Sequence, residues 1–151
     1  MATYVFTDIH GHAKPLRRIL ERIAPQDEDQ FICLGDMIDR GPDPLGVIET
    51  VKTLPHVVVL QGNHEQMLGR FLANEDDTEA LITWIYNGGE TTRDQLTLSG
   101  NDLIFWSGCK VYPCIMNASE EGVRTFLCMP VFVQVFLRCL RRGTLRLCIR
   151  L

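Results

Sequence analysis

Between Phe31 and Gly41 the sequence reads Phe31-Ile32-Cys33-Leu34-Gly35-Asp36-Met37-Ile38-Asp39-Arg40-Gly41. The apolar run is rich in strand-forming residues, does not alternate with polar ones and stops at a glycine. Such a strand belongs inside a parallel α/β sheet that is covered on both faces. Its polar tip then sets two carboxylates beside a guanidinium that can fork onto a phosphate. The same arrangement of apolar run and ligand-type residues recurs twice. Asp8-Ile9-His10-Gly11 follows Tyr4-Val5-Phe6, and Gly62-Asn63-His64-Glu65 follows Val57-Val58-Val59-Leu60.

The segments between these strands carry helical periodicity. Leu16, Ile19, Leu20 and Ile23 recur at i, i+3, i+4 and i+7 with charged residues between them, an amphipathic helix that Pro25 ends. Pro42-Asp43-Pro44 opens a second helix with Leu45 and Ile48 on its apolar face, and Met67, Leu68, Phe71 and Leu72 mark a third. With strands predicted at Tyr4–Phe6, Gln30–Leu34 and Val57–Leu60, the order is β-α-β-α-β-α. Right-handed crossovers bring all three strand C-termini to one sheet edge, where open α/β sheets bind their ligands. A further helix is predicted from Thr78 to Tyr86, stopped by Asn87-Gly88-Gly89, and a short one from Thr91 to Leu98. Beyond Asp102 the periodicity fades. Phe126 to Val133 is compatible with a strand, and Arg138 to Leu147 alternates only loosely.

At 151 residues the chain has the length of one domain. Its net charge of −4 argues for neither nucleic acid nor an anionic membrane surface as partner. The average hides a division. Residues 1–102 hold 8 basic and 17 acidic side chains, residues 103–151 hold 7 and 2. All four histidines (His10, His12, His56, His64) lie in the first part; Cys109, Cys114, Cys128, Cys139 and Cys148 lie in the second. Met1 leads straight into a strand-like segment without a signal-type apolar stretch, so the expectation is a cytoplasmic protein with reduced thiols.

The three turns supply a consistent chemistry. Asp8 and His10, two apart, would share a side in extended backbone and grip one ion. Asp36 can reach two ions through its two oxygens, and Asn63 adds a neutral oxygen donor. Oxygen and imidazole donors without thiolate favour Mn²⁺, Fe or Zn²⁺. Two such ions about 3.5–4 Å apart clamp a phosphate and acidify water. Arg40 would hold phosphate oxygens, His64 would protonate the leaving alkoxide, and Asp39 would orient that imidazole. Other residues have plainer readings: His12 and His56 as loop or surface residues, Glu65 as an acid that suits the first turn of its helix.

These residues resemble the calcineurin-like metallophosphoesterases, in particular the phosphoprotein phosphatase branch. Its signatures GDxHG, GDxxDRG and GNHE are similar to Thr7–Gly11, Gly35–Gly41 and Gly62–Glu65, with Thr7 replacing the first glycine. Gly41-Pro42-Asp43 and Trp84 to Thr92 resemble the small bacterial members. Met1-Ala2-Thr3-Tyr4 resembles a related branch that hydrolyses dinucleoside tetraphosphates. The resemblance implies a metallophosphatase-type αββα sandwich, of which only the N-terminal βαβαβ half is clearly encoded. It implies two divalent ions held by Asp8, His10, Asp36 and Asn63, and a phosphate bound by Arg40, Asn63 and His64. Asp39 would support His64, and metal-activated water would attack a phosphoprotein or small phosphoester. It covers residues 1–102. The family's later ligands include histidines, and this sequence has none after His64. Residues 103–151 are therefore expected to be a divergent or frame-shifted tail. The alternatives are a catalytically incomplete remnant holding at most one weakly bound ion, and a dinucleoside tetraphosphate hydrolase. No oligomeric state is assigned.

Overall fold

The computed structural model describes residues 1–99 and four later strands at 111–112, 116–118, 124–126 and 145–150. Strand β1 (Thr3–Thr7), helix α1 (Ala13–Ile23), strand β2 (Gln30–Cys33), helix α2 (Pro44–Lys52), strand β3 (Val57–Leu60) and helix α3 (Asn63–Ala73) alternate as the sequence predicts. Helix α4 (Thr78–Trp84), a kinked turn (Ile85–Gly89) and helix α5 (Glu90–Ser99) come next, then β4 (Val111–Tyr112), β5 (Met116–Ala118), β6 (Arg124–Phe126) and β7 (Leu145–Arg150).

The main sheet is parallel throughout, in the order β4-β3-β2-β1-β7. Strands β3, β2 and β1 step across it in one direction, and β7 lies on the far side of β1, pairing Thr7 with Arg150. The chain order thus reverses beside β1, the place where open α/β sheets form a crevice at their strand C-termini. The fold is mixed α/β and agrees with the N-terminal half of a metallophosphatase. Strands β5 and β6 form a separate antiparallel pair. The strand expected at Phe126–Val133 falls outside the described residues beyond Phe126. Four of the five later cysteines also fall outside them, whereas Cys148 lies within β7.

Local sequence explains the element ends. Ala24, in left-handed backbone, closes α1 just before Pro25. Asp43 caps α2, its Oδ1 accepting from Gly46 N at 2.9 Å, with Pro44 pre-set in the first turn. The expected helix stop at Asn87-Gly88-Gly89 is present: Gly88 leaves helical backbone at φ 98°, and Glu90 opens the next helix at φ −56°. Only a glycine takes that conformation without strain, and a Cβ there would lie 2.8 Å from Arg40 Cγ. The core runs through Phe6, Ile9, Phe31, Ile38, Val47, Val51, Val59, Leu68 and Trp84. Each large apolar side chain so buried contributes about 1.5–3 kcal/mol.

Candidate active site

The turns after β1, β2 and β3 meet at one edge, and their backbone is bonded together. Within them His10 N donates to Asp36 O at 2.9 Å, Gly11 N to Met37 O at 2.8 Å, and Asp43 N to Gly11 O at 2.9 Å. Side-chain oxygens and imidazole nitrogens of Asp8, His10 and Asp36 gather within 4.8 Å of one another. The extended backbone expected for Asp8 and His10 is not what unites them. Both are left-handed, at φ 54° and 45°, and so are Asp36, Asp39 and Arg40. Non-glycine residues in that region cost on the order of 1 kcal/mol or more each, and such strain gathers at functional sites. Five of the seven such residues among those described are site residues, so the turns are bent to bring their side chains inward.

The donor set fits a divalent cation. The His10 Nδ1–H donates to Ile38 O at 3.0 Å, so Nε2 carries the lone pair that a metal needs. Burial holds the His10 pKa below its ordinary 6.5, helped by the nearby Arg40 and His64 charges, and this keeps the ring a neutral base. The guanidinium of Arg40, exposed at the rim, donates to Nε2 at 2.9 Å. Thr7, the residue that departs from the family motif, donates its hydroxyl to Asp8 Oδ2 at 3.0 Å. Asn63 lies beside Asp36: with its NH₂ facing the carboxylate it donates to both oxygens at 3.2 Å. In that orientation it steadies the Asp36 carboxylate and does not point its own oxygen there. Asp36 Oδ1 also accepts from His64 N at 3.1 Å, an anion at the N-terminus of α3.

Next to this cluster lies a buried acid–base pair. His64 Nδ1 donates to Asp39 Oδ2 at 2.7 Å, and both side chains are almost wholly enclosed. The His64 ring meets the His10 ring edge to face at 4.7 Å between centroids. The structure therefore brings all seven sequence-predicted residues to one place. His12 and His56 stand apart and exposed.

Sequence reasoning missed three residues here. Glu65 does more than suit a helix dipole: its buried carboxylate accepts from Asp36 N (2.8 Å), Met37 N (2.7 Å) and Gly62 N (2.9 Å), clamping the β2 turn to the β3 turn. Burial pushes its pKa up, against the pull of those three N–H groups. Trp84 Nε1 donates to both oxygens of Asp39, and Thr92 Oγ1 donates to Asp39 Oδ1 at 2.6 Å. The signal available for the last two was the Trp84–Thr92 stretch that resembles small bacterial phosphatases.

A family model for calcineurin-like phosphoesterases matches residues 1–130. The chain belongs to that family. The match runs past Asp102, where the sequence motifs end. Among individual relatives it is 34% identical to a symmetrical bis(5'-nucleosyl)-tetraphosphatase of Proteus mirabilis, covering 56% of this chain and 37% of that protein. It is 37% identical to serine/threonine-protein phosphatase 1 of Salmonella typhimurium, covering 58% of this chain and 38% of that one. The chain thus spans little more than a third of the length of these two relatives. Among the described residues no helix is long and apolar enough to cross a membrane.

Proposed function

We propose that the chain is a metal-dependent phosphomonoesterase of the serine/threonine phosphoprotein phosphatase type, working in the cytoplasm on phosphoprotein or small phosphoester substrates. Nucleic acid and membrane lie outside its partners in this reading. Asp8, His10 and Asp36 hold the divalent cation, with Asn63 beside them; Mn, Fe and Zn all suit such donors. When bound, such ions acidify water and neutralise charge on the phosphoryl group. Arg40 holds phosphate oxygens through its planar guanidinium. His64, doubly protonated, keeps Nδ1–H on Asp39 and gives the Nε2 proton to the leaving alkoxide as the P–O bond breaks. The Asp39 carboxylate stabilises the imidazolium and fixes its plane.

The observation that carries this reading is the junction of the donor cluster with the Asp39–His64 pair, through the His10–His64 ring contact. The test is Mn²⁺-stimulated hydrolysis of p-nitrophenyl phosphate by the purified chain, with Asp36→Asn in parallel. Turnover that needs metal and disappears in the variant supports the reading; turnover equal in both sinks it. A second reading is favoured by the lack of any histidine after His64: a remnant that binds one cation without turnover. One bound ion per chain and no hydrolysis would select it. The Proteus mirabilis relative motivates a third arm of the assay, with a dinucleoside tetraphosphate as substrate.

A further inference from the structure

We propose that Trp84 and Thr92 are positioning residues of the Asp39–His64 pair, two donors that lock the Asp39 carboxylate so that His64 is held in one orientation. The inference rests on His64 acting as the acid, but its geometry stands apart from turnover.

Asp39 is wholly enclosed, so each of its oxygens needs protein donors. Oδ2 receives His64 Nδ1 at 2.7 Å and Trp84 Nε1 at 3.0 Å; Oδ1 receives Thr92 Oγ1 at 2.6 Å and Trp84 Nε1 at 3.1 Å. The Thr92 hydroxyl is also an acceptor, taking Asp39 N–H at 3.0 Å, and so ties down a residue whose backbone sits at φ 67°. Backbone and carboxylate of Asp39 are thereby fixed by one side chain. Trp84 is fixed in turn by stacking on Phe71, with ring centroids 5.5 Å apart. Turning the carboxylate would break several of these bonds together.

The two donors stand on α4 and α5, on either side of the kinked turn at Gly88. That turn contributes too: Gly88 O accepts Arg40 N–H at 2.9 Å. The single stretch from Trp84 to Thr92 therefore bonds both the acid's partner and the backbone of the phosphate-binding arginine. Neither Trp84 nor Thr92 belongs to the three strand-end motifs. A role confined to core packing would need their volume but not their N–H and O–H.

That difference sets the test. In the full chain labelled with ¹⁵N-histidine, the His64 Nδ1 proton, assigned by its loss in His64→Gln, gives a far-downfield resonance. Thr92→Val keeps shape, and Trp84→Phe removes the N–H together with the pyrrole edge of the ring; both are expected to move it upfield or lose it to exchange while the remaining spectrum is retained. Thr92→Ser keeps the hydroxyl and is expected to retain it. Thr91→Val is the matched control, since the Thr91 hydroxyl is buried without a hydrogen-bond partner among the described residues; it should leave the resonance in place. The proposal is overturned if Thr92→Val and Trp84→Phe leave the resonance unmoved, if Thr91→Val moves it equally, or if the wild-type chain shows no such proton. Should Thr92→Val fail to fold, Trp84→Phe against Thr92→Ser decides alone. An inactive chain with the expected resonance pattern would remove the phosphatase reading and leave the positioning role standing.

Discussion

The proposed cation side and the proposed acid side of the site are made by different means. Asp8, His10 and Asp36 converge because the turns after neighbouring strands adopt left-handed backbone and bond to one another through main-chain groups. Asp39 and His64 stand on the β2 and β3 turns and bond to each other. The Asp39 carboxylate also takes donors from Trp84 and Thr92, side chains 45 and 53 residues further along the chain. The first arrangement is local and half open to solvent; the second is remote and enclosed. The lesson is that a short motif can encode the donors of a candidate cation site almost alone, while a buried aspartate–histidine pair borrows its donors from elements with no motif.

The sharpest way to break the cation side is Asp36→Asn. A divalent ion at about 100 times its Kd stabilises a one-site protein by about 2.7 kcal/mol. The wild-type thermal midpoint should rise accordingly and the variant's should not, with metal-dependent turnover falling on the order of 10²-fold or more. An equal rise in both would remove Asp36 from the site.

Glu65 joins the β2 and β3 turns, so its loss tests whether those turns hold themselves. Glu65→Gln places an NH₂ among three backbone donors and is expected to cost on the order of 3 kcal/mol in urea denaturation. A cost near zero would mean that the main-chain bonds suffice.

The α/β order and the three strand ends were legible because the strands are unbroken apolar runs and the turns carry ligand-type residues in a fixed pattern. The left-handed φ values of Asp8 and His10 were not, since aspartate and histidine do not announce that conformation as glycine does. Glu65 reads from sequence as a first-turn acid, and only its contacts with Asp36 and Met37 reveal a clamp. Trp84 and Thr92 read only as residues of the two helices predicted on either side of Asn87-Gly88-Gly89, and their bonds to Asp39 depend on a tertiary path set by the turn at Gly88.

His10 and the Glu65 clamp differ in their response to acid. Burial holds His10 below 6.5, so as pH falls beneath 6.5 the unfolded chain takes up a proton that the native ring refuses, and stability declines towards the folded pKa. Burial raises Glu65 above 4.5, so its contribution is present below 4.5 and is lost as pH rises through its folded value. His10→Asn should flatten the decline below 6.5 and leave the opposing Glu65 slope visible in denaturation midpoints. An unchanged profile would separate His10 from that decline.

The smallest effect is expected at Thr7. Thr7→Gly restores the family pattern and removes one hydroxyl donor from Asp8. Cation affinity, measured calorimetrically, should change by less than about tenfold. A larger change would make Thr7 part of the cation side proper.

The turn at Gly88 also makes the stretch from Trp84 to Thr92 a ruler. Each residue inserted into a helix rotates the rest of that helix by about 100°. One insertion or deletion between Glu90 and Thr92, inside α5, would swing the Thr92 hydroxyl away from Asp39. A tryptophan with a threonine eight residues later and a glycine midway can thus be sought as a fourth signature beside the three strand-end motifs. Chains that keep the motifs but change that interval should have found another way to anchor the aspartate.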